Sequence, residues 1–147
     1  VKNILPLNKK SFKRELYYMD NLDHVQEWIR LAQMDLNSAE YLLSMHPIPI
    51  EIICYHCQQS AKKFLKGYLV FHGMIPPRTH DLDELCKLCS QFSDSFSNIT
   101  DYCSDLTAYG VQPRYPMELH LEERDMYHVL EAAKIIRDFV LDLIPKI

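Results

Sequence analysis

From Leu22 to Leu43 the apolar residues Val25, Trp28, Ile29, Ala32, Leu36, Ala39 and Leu43 return at steps of three and four, a spacing that only one face of a long α-helix satisfies. Pro47 and Pro49 end that pattern and force a short connection. Ile53, Cys57, Ala61, Phe64, Tyr68 and Phe71 then make a second stripe of the same period, closed by Gly73 and the Pro76-Pro77 pair. Asp81 opens a third, shorter helix as an N-cap followed by Glu84, and this helix runs through Leu82, Leu85, Cys89 and Phe92 before the Ser- and Asp-rich stretch Ser93–Asn98 breaks it. A fourth carries Ile99, Tyr102, Leu106 and Tyr109 and stops near Gly110. The last opens on Glu122, Glu123 and Asp125, charges that suit a helix N-terminus, and buries Met126, Val129, Ala133, Ile136, Val140 and Leu143.

No stretch alternates with the period of a strand, so the fold class is all-α. Short connections between long amphipathic helices favour antiparallel neighbours, which gives an up-and-down four-helix bundle with an additional short helix, Asp81–Phe92, packed across it. At 147 residues and 48% apolar content the chain supports one core of ordinary size. Residues 1–21 are mixed and partly basic without a clear stripe and read as an N-terminal arm ordered by contact, leaving 22–147 as the helical domain. A second reading of the arm is that Lys13-Arg14-Glu15 can be encoded by a purine-rich ribosome-binding sequence, which would start translation at Met19.

Net charge and cysteine content exclude several classes. A net charge of −4 argues against a broad nonspecific nucleic-acid surface, so any phosphate site must be local. No apolar run is long enough to span a bilayer, and Lys9, Lys10, Lys13, Arg14 and Glu15 interrupt any secretory signal. The five cysteines are odd in number and at least four fall in helical patterns, which points to a reducing, cytoplasmic setting. Cys54/Cys57 and Cys86/Cys89 have C-x-x-C spacing, but each pair lies on the apolar stripe of a helix and reads as small buried thiols rather than a zinc site. There is no glycine-rich phosphate loop, no H-E-x-x-H and no G-x-S-x-G, and neither a metal nor a cofactor is expected.

Chemistry concentrates in Ala108–His120, a proline-bracketed island in an otherwise helical chain. Pro113 and Pro116 hold Arg114 on stiff backbone between the rings of Tyr109 and Tyr115, and His120 follows six positions on. A fixed guanidinium suits a phosphate or carboxylate; it equally suits a helix C-terminus or an acidic partner. An imidazole that takes a proton near neutral pH, beside an arginine that neutralises a phosphorane, is the minimum equipment for metal-free RNA cleavage through the ribose 2′-hydroxyl. On the second helix Gln58 sits at the edge of the buried face and must find a hydrogen bond, to a ligand, to the Arg114 loop or to a helix end. Lys62, Lys63 and Lys66 cluster on the outer side of that helix, as a solvated face or as a phosphate contact. His80 is read as fixing the Asp81 turn, His56 and His72 as lying on the rim of the second helix, and His24, His46 and His128 as exposed.

Four segments in register carry a resemblance: W-I-R-L-A-Q-M-D-L-N-S-A at Trp28–Ala39, C-Q-Q-S-A-K-K-F-L-K-G-Y-L at Cys57–Leu69, R-T-H-D-L-D-E-L at Arg78–Leu85 and Y-G-V-Q-P-R-Y-P at Tyr109–Pro116. Over roughly residues 22–145 the chain resembles the HEPN domain family, and Arg114-Tyr115-Pro116 is similar to its R-Y-P branch. The resemblance implies a small all-helical cytoplasmic domain, usually a homodimer, often encoded beside a minimal nucleotidyltransferase in prokaryotic toxin–antitoxin or defence modules. It implies Arg114 and His120 as catalytic residues of a metal-independent endoribonuclease, with Arg114, Tyr109, Tyr115, Gln58, Lys62 and Lys66 around RNA or a nucleotide phosphate. Lys62 stands where the family frequently has an acidic residue. The alternative is a non-catalytic module that receives a nucleotidyltransferase partner or senses a small nucleotide.

Overall fold

The computed structural model describes residues 9–109 and 120–146. Five α-helices follow in order: α1 Lys9–Leu42, α2 Ile50–Phe71, α3 Leu82–Cys89, α4 Thr100–Ala108 and α5 Glu123–Leu143, with a 3-10 turn at Asp94–Ile99 between α3 and α4. The described residues contain no strand.

Local chemistry sets the helix ends. α2 stops in a Schellman motif: Gly73 takes a left-handed φ of +77°, its N–H donates to the Val70 carbonyl at 2.9 Å, and the Met74 N–H donates to the Leu69 carbonyl at 3.0 Å. Asp81 caps α3 as its sequence position implies, Oδ1 accepting from the N–H groups of Asp83 at 2.9 Å and Glu84 at 3.4 Å. Asp81→Ala is therefore expected to lower unfolding free energy by about 1 kcal/mol, read from urea denaturation midpoints. At the head of α5 the Glu122 N–H donates to Asp125 Oδ2 at 2.9 Å, so a first-turn carboxylate holds the entering chain.

α2 is the hub. It runs antiparallel to α1, as three contacts along the pair show: Asn21 Nδ2 donates to the Val70 carbonyl at 2.8 Å, Gly67 faces Trp28, and the buried Ser60 hydroxyl donates to the Ala32 carbonyl at 2.8 Å. α4 returns antiparallel to α2, and α5 follows α2 in direction, with Phe96 edge-on to Phe139 at 5.0 Å at one end and His128 bonded to Asp105 at 2.9 Å near the other. The four longer-range partners α1, α2, α4 and α5 thus alternate up and down around a core that includes Leu36, Phe64, Leu69, Leu106, Met126 and Ile136, all fully buried.

The direction of α3 and two helix boundaries differ from the sequence reading. α3 does not cross the bundle: the His80 carbonyl meets Gln58 and the Cys89 thiol meets the Leu65 carbonyl at 3.6 Å, so α3 lies alongside α2 and points the same way. It ends at Cys89 rather than Phe92, and the Ser-rich break is itself the 3-10 turn, anchored by the buried Phe96 and Ile99. Residues 9–21, read as part of an arm, are the first three turns of α1, unbroken into the domain. Phe12, Leu16, Tyr17, Tyr18 and Met19 are each more than half exposed along that extension.

Candidate functional site

One end of the bundle gathers the N-terminal half of α2, the C-terminus of α4 and the N-terminus of α5. Tyr109 terminates α4, its backbone N–H donating to the Leu106 and Thr107 carbonyls. Burial, followed by the carboxylates of Asp125 and Asp105, holds its phenol above the ordinary tyrosine range, and its side chain is a hydrogen-bond partner of Asp125. Asp125 is also the acceptor that fixes the Glu122 backbone, so the exit of α4 and the approach to α5 meet on one carboxylate. Leu121 packs against the core, and His120 before it is exposed. Tyr109 and His120 therefore mark the two described ends of the segment that bears Arg114 and Tyr115, which themselves lie outside the described residues.

Gln58 is 1% exposed, and its amide takes the helix-end role. Nε2 donates to the His80 carbonyl at 3.0 Å, fixing the backbone just ahead of the α3 cap. A relay continues from it: Gln59 Nε2 donates to Gln58 Oε1 at 3.2 Å, and Lys62 Nζ donates to Gln59 Oε1 at 2.7 Å. His80 contributes to the Asp81 turn through this backbone carbonyl.

Lys62 and Lys66 do not form a solvated outer face. Only 8% of Lys62 and 9% of Lys66 is exposed. The physical reason is the path of the α2–α3 connection: Met74 is bonded to Leu69 and His80 to Gln58, so the chain between them, stiffened by Pro76 and Pro77, returns along α2. Burial lowers the affinity of Lys62 for its proton, with Lys66 and Lys63 adding like-charge repulsion, and burial alone does the same at Lys66. The Lys66 ammonium sits 5.9 Å from the Trp28 ring centroid, a cation–π distance. Tyr109 lies near enough to Cys54 on α2 to feel its charge, and Lys62 and Lys66 lie eight and twelve residues further along that helix, about 12 and 18 Å at 1.5 Å per residue. Tyr109 and His120 thus lie at one end, while Gln58 is turned to the His80 carbonyl and is joined through Gln59 to Lys62 one turn further along α2.

Other pairings had no sequence signal, because they join residues that are distant in the chain. Asp35 on α1 accepts from Lys63 Nζ at 2.5 Å and bonds His56 Nδ1 at 3.0 Å, so one largely buried carboxylate ties the α1–α2 seam through both. His72 stacks on Phe92 at 4.3 Å, and burial lowers its pKa. An apolar cleft of about 510 Å³, lined by Tyr17, Trp28, Met74 and Ile75 among others, opens at the C-terminal end of α2, away from the Tyr109 cluster. All five cysteines are buried free thiols, with burial pushing Cys54 and Cys57 up to about 12. Among the described residues no three or more His, Cys, Asp or Glu side chains form a group that could hold a metal ion. Nor is any described helix long and apolar enough to cross a membrane.

The order and packing of these helices define the class, a small all-helical domain. The HEPN domain model matches residues 25–143, and the chain belongs to the HEPN family. Among solved structures it is similar to TT1696 from Thermus thermophilus, with a TM-score of 0.73 and 21% identity over 82% of this chain and 98% of that one. It is also similar to ST0689, an archaeal HEPN homologue, with a TM-score of 0.65 and 28% identity over 81% of this chain and 96% of that one. A search of curated protein sequences gave no match.

Proposed function

We propose that this HEPN domain is a metal-independent endoribonuclease of the R-Y-P branch that holds an RNA phosphate with Arg114 and uses His120 as general base. The observation that carries the reading is that the segment bearing Arg114 is rooted at both ends on one side of the bundle, at Tyr109 and just ahead of the α5 cap, with His120 exposed beside it. In the reaction His120 takes the proton of a ribose 2′-hydroxyl, and the freed oxygen attacks the neighbouring phosphorus. The phosphorus–O5′ bond breaks and the departing 5′ oxygen takes a proton from water, leaving a 2′,3′-cyclic phosphate and a 5′-hydroxyl, while the guanidinium neutralises charge on the phosphorane. Tyr109 and Tyr115 supply ring faces for bases. Gln58 acts indirectly, by fixing the loop ahead of α3. Family precedent and the exposed apolar residues Met34 and Tyr41 along the outer face of α1 support a homodimer, with the two sites presented together. A cytoplasmic toxin-type role beside a minimal nucleotidyltransferase is the setting we propose for it.

The test uses the full chain with a single-stranded RNA in excess EDTA. Wild type is expected to cleave and leave cyclic phosphate ends, whereas Arg114→Ala and His120→Ala lose at least about 100-fold in rate with unchanged helical circular dichroism. Cleavage that survives Arg114→Ala overturns the assignment. Absence of cleavage by wild type, with a melting shift on adding ATP, replaces it with nucleotide sensing; absence of both leaves the partner module.

A further inference from the structure

All five cysteines are buried, and one of them, Cys86 at 3% exposed, reaches the wall of a cleft. Cys86, on α3, lines a polar cleft of about 550 Å³ together with Asp83, Lys87, Thr100 and Ser104. Its sulfur lies 3.8 Å from the Phe96 carbonyl and 4.0 Å from Thr100 Oγ1. Cys103 follows Thr100 by three residues on α4 and so lies on the same face one turn on. It is fully buried, and each thiol is the largest influence on the other's ionisation. The helices that carry them are already joined by a hydrogen bond from Ser104 Oγ to Asp83 Oδ1 at 2.6 Å.

We propose that Cys86 and Cys103 are a redox-responsive pair in which a hydroperoxide reaching the polar cleft oxidises Cys86 and Cys103 then closes a disulfide between α3 and α4. The Cys86 thiolate attacks one peroxide oxygen; the O–O bond breaks, and the other oxygen leaves as water or an alcohol after taking a proton. Cys86 is then a sulfenic acid. The sulfur of Cys103 attacks that of Cys86, an S–S bond forms, the S–O bond breaks, and the departing hydroxide takes the Cys103 proton as water. Two thiols have lost two electrons in all, and one hydroperoxide has gained them.

The electrostatics agree with this division of labour. The hydrogen bond with Cys103 holds the Cys86 thiol at about 7 against the opposing effect of burial, with the Thr100 hydroxyl helping, and the same interaction pushes Cys103 up. Burial raises Cys54, Cys57 and Cys89 instead. Cys86 is therefore the most readily ionised of the five thiols, and it is the one that lines the cleft wall. α4 leads in sequence to the Arg114 segment, so a bond made here ties its stem to α3.

The experiment treats the reduced full chain with hydrogen peroxide, blocks residual thiols and reads intact mass and peptide maps. Against the reduced chain blocked in the same way, the expected product carries two fewer thiol adducts, the two thiols having been lost to the disulfide. Its tryptic fragment Thr79–Lys87 is joined to Leu88–Arg114, and fragmentation places the bond on Cys103 rather than Cys89. Cys103→Ser is expected to leave Cys86 as a dimedone-trappable sulfenic acid, while Cys86→Ser yields neither product. Without oxidant, iodoacetamide is expected to label Cys86 first, at a rate that climbs as pH rises through about 7. A bond assigned to any other pair, or a native chain whose Cys86 resists both peroxide and iodoacetamide, overturns the proposal.

Discussion

Replacing Phe96 with alanine is expected to cost about 3–5 kcal/mol of unfolding free energy and to lower the melting temperature by about 10 °C, measured by urea and thermal unfolding. Phe96 is fully buried in the 3-10 turn, tilted against Tyr68 at 4.8 Å and edge-on to Phe139 at 5.0 Å. It therefore joins the C-terminal end of α2 to the second half of α5. Truncation removes an aromatic side chain from between two helices that cannot both move in, because α2 is fixed from its other sides by α1 and α3. The backbone of the same residue accepts from Thr100 Oγ1 at 3.2 Å, which helps start α4. A loss below about 1 kcal/mol would mean that the turn tolerates a cavity, and that the surrounding rings collapse onto it.

Gly67→Leu is expected to destabilise the protein by about 3 kcal/mol, while Gly67→Ala leaves it nearly unchanged. A Cβ built at Gly67 would lie 3.2 Å from Trp28 Cβ and 3.4 Å from Ile29 Cδ1. Trp28 Cβ is attached directly to the α1 backbone, so relief requires the helix to shift by a few tenths of an ångström. For alanine that small strain is offset by about 1 kcal/mol of better helix propensity. A leucine adds three carbons to the same seam and forces α1 away from α2, stretching the Ser60 and Asn21 bonds that cross between them. Parallel urea titrations of the two variants read the difference. Equal stability of both would show that the α1–α2 approach is looser than the 3.2 Å contact implies.

These two sites lie beyond what sequence patterns reach. The stripes on α1 and α2, the Asp81 cap and the Gly73 stop are legible because each depends on residues within about one or two turns of one another. Phe96 sits inside a stretch that reads only as a break, since a lone aromatic among serines and aspartates has no period to reveal it. Gly67 lies within a helical stripe, and nothing along the chain says that another helix approaches at that point. The same holds for the candidate site. Arg114 and His120 are legible from their proline-rich setting and from family resemblance, and Gln58 from its place at a buried edge, although its partner, the His80 carbonyl, is not.

Two lysines meet the same limit. A helical wheel puts Lys62 and Lys66 on the side of α2 opposite its core stripe, which for an isolated helix means water. The return path of residues 74–80 covers that side instead, and the charges are met by an amide oxygen and an indole ring. By itself the chain's periodicity determined an all-helical domain, the approximate helix limits and the apolar faces, because propensity, capping and amphipathic spacing are local properties. Only tertiary structure decided that α3 lies along α2, that Asp35 holds both His56 and Lys63, and that Cys86 lines a polar cleft. Each of those depends on the distance between residues far apart in sequence, which is set when the helices pack.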